Sequence, residues 1–347
     1  MAYSSIAKPT DYFNTKLYTG NSTTDTAITG VGFQPDWLWV KSRGGAESHF
    51  LQDAVRGATK SLKSESSAAE STDAQNIKSF DSDGFTLGSN DGVNDSGFNY
   101  VAWNWKANGV GSSNSDGSIT STVSANTTAG FSIVKYTGTG SNATIGHGLG
   151  VEPSMIIIKN LTASRDWLVY HKQLGNTHGI YLDLTNASTS SSGFFNNTSP
   201  TSSVFSVGTD TDANDSSDDT IAYCFAEKKG YSKFGSYVGN GNADGTFTYT
   251  GFKPAFLITK RTDSSSSGDW NIVDSVRNPS NVVNKYLHTN LSQAEGTASI
   301  YDFYSNGFKI RESGAGTNAS GSTYVYLAFA EEPLVANVGQ GIPATAR

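Results

Sequence analysis

Tyr100-Val-Ala-Trp-Asn-Trp-Lys106 alternates large and small side chains, and two later stretches repeat it: Thr220-Ile-Ala-Tyr-Cys-Phe-Ala226 and Tyr324-Val-Tyr-Leu-Ala-Phe-Ala330. A period of two is that of a β-strand. Trp103 and Trp105, Tyr223 and Phe225, and Leu327 and Phe329 therefore share one face of their strands. Cys224 aligns with Asn104 and Ala328 on the opposite face, where it reads as a small filler and not as a reactive thiol. Three strands of one pattern in one chain imply an internal repeat.

Working outward, each repeat opens alike: Tyr18-Thr-Gly, Tyr136-Thr-Gly and Tyr237-Val-Gly. A proline follows 17 residues later (Pro35, Pro153, Pro254), and a lysine six residues after that (Lys41, Lys159, Lys260). Between them run Trp37-Leu-Trp-Val40, Met155-Ile-Ile-Ile158 and Phe256-Leu-Ile-Thr259. The middles are looser. Asp53-Ala-Val-Arg56 matches Asp274-Ser-Val-Arg277, and repeat two lacks that pair. Asp166-Trp167 matches Asp269-Trp270. Asp81-Ser-Asp-Gly-Phe-Thr-Leu87 and Tyr304-Ser-Asn-Gly-Phe-Lys-Ile310 read as a turn, with Gly at positive φ, feeding a strand.

Each repeat thus offers six to eight short strands between Gly/Asn/Asp/Ser turns. The expected fold is all-β, three tandem antiparallel β-sandwich or jelly-roll-like domains. The boundaries read as 1–106, 130–236 and 237–335, with a flexible Gly/Ser/Thr linker at 107–129 and a C-terminal tail at 336–347. The junction Gly230-Tyr-Ser-Lys-Phe-Gly-Ser-Tyr237 is short, and its aromatics are expected to pack.

Composition agrees. Charged residues are 16% of the 347, against roughly 25% in ordinary soluble proteins. The polar surface must come from Ser, Thr, Asn and Gly. The net charge is −7 and no Lys/Arg cluster could follow a phosphate backbone, so nucleic acid is not an expected partner. No apolar run approaches the roughly 20 residues that span a bilayer. The opening residues lack the basic and apolar regions of a signal peptide, and one cysteine excludes an intrachain disulfide. The expectation is synthesis in a cytoplasm, without membrane insertion.

Little in the sequence nominates chemistry. The five histidines show no zinc spacing, and no Gly-x-Ser-x-Gly elbow occurs. His49, near Glu47 and Asp53, reads either as a general acid/base or, preferably, as part of a solvated strand face. No pair of carboxylates is singled out, so the chain reads as no enzyme and without a cofactor. The one metal candidate is calcium, at Asp210, Asp212, Asp215, Asp218 and Asp219, because calcium takes six to eight oxygen ligands. That loop lacks the glycine and closing glutamate of an EF-hand, and a solvated loop is the alternative. The tryptophans read as core. A sugar site is expected instead on variable loops, with candidates at Thr59–Asp73, Thr185–Ser203 and Ser313–Ser322.

The motif set resembles a family of repeated domains in structural, tail-fibre-like proteins of marine tailed bacteriophages. The likeness rests on Gly32-Phe-Gln-Pro-Asp-Trp-Leu-Trp-Val-Lys41, Ser79 to Leu87, Tyr100 to Lys106, Tyr231 to Tyr237, Gly251 to Phe256 and Tyr324 to Pro333. It extends to Asp11 to Gly20 and to Pro343 to Arg347. The resemblance implies a virion protein and carries no catalytic residue with it. The expected function is a bacteriophage virion structural protein, foremost a tail-fibre or appendage component with host-surface binding. A capsid decoration or cement protein is one alternative. A carbohydrate-binding module or polysaccharide-degrading enzyme is the other. Expected partners are other virion proteins, further copies of the chain in a homo-oligomer, and a host-surface glycan.

Overall fold

The structure is a computed structural model that describes residue 4 and residues 6–333. The tail expected at 336–347 lies outside these residues. The first lobe holds β1 (Phe13–Thr19), β2 (Thr26–Thr29), β3 (Trp37–Ser42), β4 (Phe50–Asp53), β5 (Lys60–Ser61), β6 (Ser71–Thr72), β7 (Ile77–Asp81), β8 (Gly84–Leu87), helix α1 (Asp91–Asn94) and β9 (Asn99–Trp105). The second holds β10 (Ser112–Asn114), β11 (Ser121–Asn126), β12 (Phe131–Thr137), β13 (Ala143–Gly146), β14 (Met155–Asn160), β15 (Leu168–His171), β16 (His178–Tyr181), β17 (Thr189–Ser190), α2 (Ser192–Phe195), β18 (Val204–Val207), α3 (Thr211–Asn214) and β19 (Asp219–Phe225). The third holds β20 (Ser232–Val238), β21 (Phe247–Tyr249), β22 (Phe252–Arg261), β23 (Asn271–Asp274), β24 (Val283–His288), β25 (Gly296–Tyr304), β26 (Gly307–Ile310), α4 (Ala315–Asn318) and β27 (Thr323–Pro333).

The fold is all-β, and its named strands pair antiparallel. One order recurs: β1-β9-β3-β4, β12-β19-β14-β15 and β20-β27-β22-β23. In each lobe the strand that closes the repeat lies between its first strand and its Pro-to-Lys strand. A second layer follows in each, as β2-β8, β13-β18 and β21-β26.

The alternating strands bury both faces. Tyr100 and Ala102 point into the first sandwich with Leu38, Val40 and Phe85. Ala222 and Cys224 point into the second, and Tyr324, Tyr326 and Ala328 into the third. The opposite faces meet one another. Trp37, Trp103 and Trp105 join Phe131, Tyr223, Phe225, Phe256, Leu327 and Phe329 in one core shared by all three lobes. Trp37 lies 4.4 Å (ring centroids) from Tyr223 and 5.7 Å from Phe131. Phe13 lies 5.1 Å from Phe329, and Phe225 lies 6.1 Å from Phe329. The aromatic faces thus close the three lobes around a pseudo-threefold axis. The junction aromatics pack here too, Tyr231 against Phe329 and Phe234 against Phe225.

One sequence expectation needs correction. Residues 107–129 contain a hairpin, β10–β11, that extends the second lobe's sheet along β12. Ile119 and Val123 are buried, Ser124 Oγ accepts from the Asn108 N–H at 2.8 Å, and Ser121 Oγ donates to the Gly146 carbonyl. The hydroxyls that look like linker residues satisfy backbone groups along a sheet edge. Of the two turn glycines expected at positive φ, Gly84 has it (φ 151°) and Gly307 does not. Gly84 and Gly307 are required by close approach, because a Cβ would fall 1.9 Å from the Ile28 carbonyl and 2.1 Å from that of Thr248.

Each repeat carries a further signature in the turn before its last strand. Asn94, Asn214 and Asn318 are fully buried. Each accepts the N–H of the residue after the Tyr-x-Gly glycine (Asn21, Thr139, Asn240). Each also donates its amide to carbonyls on both sides of the turn, as Asn214 does to Ser141 and Gly208. The tyrosines of Tyr-x-Gly donate to the same turns, Tyr18 to Val93, Tyr136 to Ala213 and Tyr237 to Thr317. The glycines are needed because a Cβ at Gly20, Gly138 or Gly239 would meet a turn carbonyl at 2.2–2.3 Å. Asn214→Ala orphans the Gly208 carbonyl and the Thr139 N–H and takes one of two donors from the Ser141 carbonyl, and is expected to cost about 3 kcal/mol in urea unfolding.

Candidate functional site

The residues that repeat across the sequence converge on the three joints between lobes. Lys41, Lys159 and Lys260 are fully buried, and burial pulls each ammonium down to about 8. Their donors are taken up by carbonyls. Lys159 reaches Asn160 and Arg165 in its own lobe and Ser67 of the first. Lys260 reaches Gly268 in its own lobe and Thr185 of the second. Lys41 reaches Ser42 and Gly45.

The carbonyls from the preceding lobe belong to arms that leave each sandwich. Glu70 N donates to Leu161 O, Ser188 N to Thr262 O and Glu295 N to Arg43 O, at 2.8–3.0 Å. The acceptor lies two residues after the buried lysine each time. The Trp167 indole donates to Lys63 and Ser66 carbonyls, and that of Trp270 to Tyr181. His49 fills this position in the first lobe. Its Nδ1 accepts from Trp39 at 2.8 Å, which leaves Nε2 to donate to the His288 and Leu291 carbonyls. Lobe one reaches two, two reaches three, and three reaches one, so the joints are heterologous and the ring closes. His49 is therefore neither solvated nor a free base. Burial and the charge on Lys41 hold it neutral, down to about 3.

The Asp-x-x-Arg pairs staple two of the joints. Arg277 Nε donates to Asp274 at 2.6 Å, its Nη1 to Glu295 and its Nη2 to the Ile272 carbonyl. Glu295 also receives a two-pronged Arg43 at 2.8 and 2.9 Å. Asp274 accepts the Trp103 indole of lobe one at 3.1 Å, and Asp53 accepts the Tyr223 hydroxyl of lobe two at 2.8 Å. At the remaining joint the facing residue is Leu327, which has no donor. A buried carboxylate there would lack that partner. His171 stands in its place, and its Nε2 meets the Tyr326 carbonyl at 3.2 Å. That accounts for the missing pair in repeat two.

The five aspartates proposed for calcium do not converge. Asp210 caps α3 through the Asp212 N–H, and Asp212 accepts the Asp166 N–H. Asp215 pairs with Arg165 at 2.6 Å, Asp218 accepts from Asn160, and Asp219 pairs with Lys135. Among the described residues no group of three or more His, Cys, Asp or Glu side chains is placed to hold a metal. The stretch is the second lobe's version of the turn built on Asn94 and Asn318. The loops proposed for sugar are also used otherwise. Thr59–Asp73 and the start of Thr185–Ser203 supply arms, and Ser313–Ser322 contains α4.

One carboxyl pair stands out. Asp183 accepts the Trp167 N–H at 3.0 Å, as Asn290 accepts that of Trp270. Asn290 then donates its amide to Asp269 at 2.7 Å. Asp183 must be protonated to do the same toward Asp166. Burial, reinforced by the neighbouring Asp166 charge, pushes Asp183 up to about 7. An unfolded Asp ionises near about 3.9, so the folded form keeps a proton that the unfolded form has lost. Stability contributed by this pair therefore falls as pH rises from about 4 through about 7. Asp183→Asn is expected to remove that part of the fall and to add about 1–2 kcal/mol at pH 8, read by thermal unfolding across pH.

A sequence pattern described as a domain of unknown function, DUF7483, matches residues 8–333. The chain belongs to the DUF7483 family. The match spans all three lobes, so the family unit includes the closed ring. No curated protein and no solved structure matches the chain.

The surface of this DUF7483 chain is polar, and its exposed large apolar side chains are mostly scattered: Phe98, Val110, Val151, Val238 and Val276. Two aromatics are close together on β21, Phe247 and Tyr249, and Phe247 packs edge-on to Tyr304. Tyr249 borders a groove of about 320 Å³ with Glu227, Lys229 and Lys233. Arg56, Lys60, Glu70, Lys135 and Asp219 line another of about 230 Å³ at the first joint. No helix among the described residues is long and apolar enough to cross a membrane.

Proposed function

We propose that the chain is a structural component of a bacteriophage virion. The observation that carries this reading is the use of the repeated residues. Lysines, tryptophans and Asp-x-x-Arg pairs go into closing three lobes into one body, and the turn asparagines fix the last turn within each lobe. A chain that spends its repeated motifs on internal joints suits a building block. The closed ring favours a compact unit, at the tip of an appendage or on the particle surface, over a repeating shaft. Host contact in the appendage reading falls to Tyr249 and Phe247, because exposed aromatic faces stack on sugar rings.

Cryo-electron microscopy of intact particles with antibody labelling tests the proposal. Label at the tail supports an appendage, and label on the capsid in regular copy number supports decoration. A particle without label overturns the virion reading.

A further inference from the structure

The three joints of the ring are not alike. Lobes one and two, and lobes two and three, follow one another in the chain, whereas lobe three meets lobe one without a connecting segment. At the two linked joints the buried lysine reaches the preceding lobe's arm, Lys159 to Ser67 and Lys260 to Thr185, and a tryptophan indole donates to the same lobe. At the third joint Lys41 bonds within its own lobe, to Ser42 and Gly45. The arm of lobe three is held instead by His49, whose Nε2 meets the His288 and Leu291 carbonyls at 2.8 and 3.2 Å. Ser64 Oγ donates to the Thr289 carbonyl at 2.6 Å, and Arg43 grips Glu295. A titratable group thus stands where the other joints use an indole.

His49 is fully buried. Its Nδ1 accepts from the Trp39 indole, so its one proton belongs on Nε2. A second proton, on Nδ1, would face the Trp39 N–H donor to donor, with its charge near the buried Lys41 ammonium. From its own lobe Glu65 accepts the His49 backbone N–H at 3.1 Å, and Glu47 acts on Lys41. From lobe three come His288, which burial holds down and Asp269 faces, and the Asp274–Arg277 pair, whose guanidinium lies over Trp103. An imidazolium here reaches water only if a covering element moves. Trp39 is core, whereas the arm runs through Ser292-Gln-Ala294 with Gln293 and Ala294 exposed. The arm is therefore the part that yields.

We propose that the joint between lobes three and one is an acid-sensitive latch, in which protonation of His49 lifts the arm 288–295 off lobe one while the other two joints stay shut. With the arm lifted, His49 titrates near its ordinary value of about 6.5. With the arm closed, burial and then the Lys41 charge hold it down to about 3. The closed state is therefore fully favoured above about pH 6.5 and loses ground as pH falls toward about 3, by about thirtyfold between pH 8 and pH 5. Glu295 adds to the release in stronger acid, because Arg43 and Arg277 outweigh its burial and hold it below the usual carboxylate range. Glu65, raised by burial, offsets part of the release. The latch rests on the joint alone, so a failed virion localisation leaves it standing.

Amide hydrogen exchange of the intact chain between about pH 8 and pH 5, corrected for the intrinsic pH dependence of exchange, tests it. Protection of the Glu295 N–H, which donates to the Arg43 carbonyl, is expected to fall by about tenfold or more. The matching amides of Glu70 and Ser188 are expected not to fall. His49→Gln keeps an acceptor for Trp39 and a donor for the arm but does not titrate, and is expected to remove most of the fall. A flat response at Glu295, an equal fall at all three arms, or a fall that survives His49→Gln overturns the proposal. If the variant does not fold, imidazole nitrogen NMR of the unaltered protein decides. Protonation of His49 that tracks the loss of Glu295 protection supports the latch. Protonation with the arm still protected, or loss of protection while His49 stays neutral, overturns it.

Discussion

Trp37→Ala is expected to lower the unfolding free energy by about 4 kcal/mol, at the large end for an aromatic core deletion. Trp37 is 1% exposed, and its ring touches Trp105 of its own lobe at 4.5 Å and Tyr223, Phe131 and Phe225 of the next. The cavity would open on the axis, where strands from different lobes meet and cannot collapse independently. The loss should therefore appear in the whole chain's transition and not in that of lobe one alone. Urea unfolding followed by far-UV circular dichroism reads the magnitude. Tyrosine and tryptophan signals from the other lobes should shift by the same amount. A loss under about 1 kcal/mol would mean that the axis is not a packed core.

Asp274→Ala should be nearly as severe, about 3–5 kcal/mol, because it takes from the buried Arg277 guanidinium the nearer of its two carboxylates, leaving Glu295, and strips the Val276 and Arg277 N–H groups of their acceptor. Arg277 is 3% exposed, and Asp274 also accepts the Trp103 indole across the joint. Replacing both members, Asp274→Leu with Arg277→Met, should recover most of the loss, since an apolar pair of similar volume is often as stable as a buried ion pair. Equivalent losses from the single and double variants would contradict this account of the joint. At the neighbouring joint His171→Ala should cost only about 1–2 kcal/mol beyond its lost packing, because two neutral hydrogen bonds are at stake, from Nε2 to the Tyr326 carbonyl and from the Gln173 N–H to Nδ1.

The fold class was readable in the sequence because its evidence is local. Alternation in Tyr100–Lys106 and the Tyr, Pro and Lys spacings identify strands and repeats without any long-range information. The partner of each face was not readable. Trp103 and Trp105 look like one sandwich's core, yet they pack on Phe256 and Phe329 of another lobe. A strand buried on both faces carries no mark of which face meets its own sandwich. The arms were illegible for a different reason. Residues 63–70 are mostly Ser, Ala, Glu and Lys, and their grip is through backbone carbonyls, which leave no side-chain signature.

The acidic stretch misled because composition was read without geometry. Asp210, Asp215 and Asp219 each meet a different backbone or cationic partner, so density of carboxylates in sequence did not become convergence in space. A third spacing lies in the sequence. Asn94, Asn214 and Asn318 each stand six residues before the opening residue of the last alternating strand. That spacing marks the acidic loop as one copy of a repeated turn. The 107–129 segment carried a signal too, since Ile119, Ser121 and Val123 alternate as a strand does.

The central claim is that three repeats form one cooperative body around a shared aromatic axis. Differential scanning calorimetry of the intact chain, with and without Trp37→Ala, tests it most directly. The account predicts a single transition whose calorimetric and van't Hoff enthalpies agree, shifted as a whole by the substitution. Separable transitions, with only one moved by Trp37→Ala, would show three independent sandwiches and contradict it.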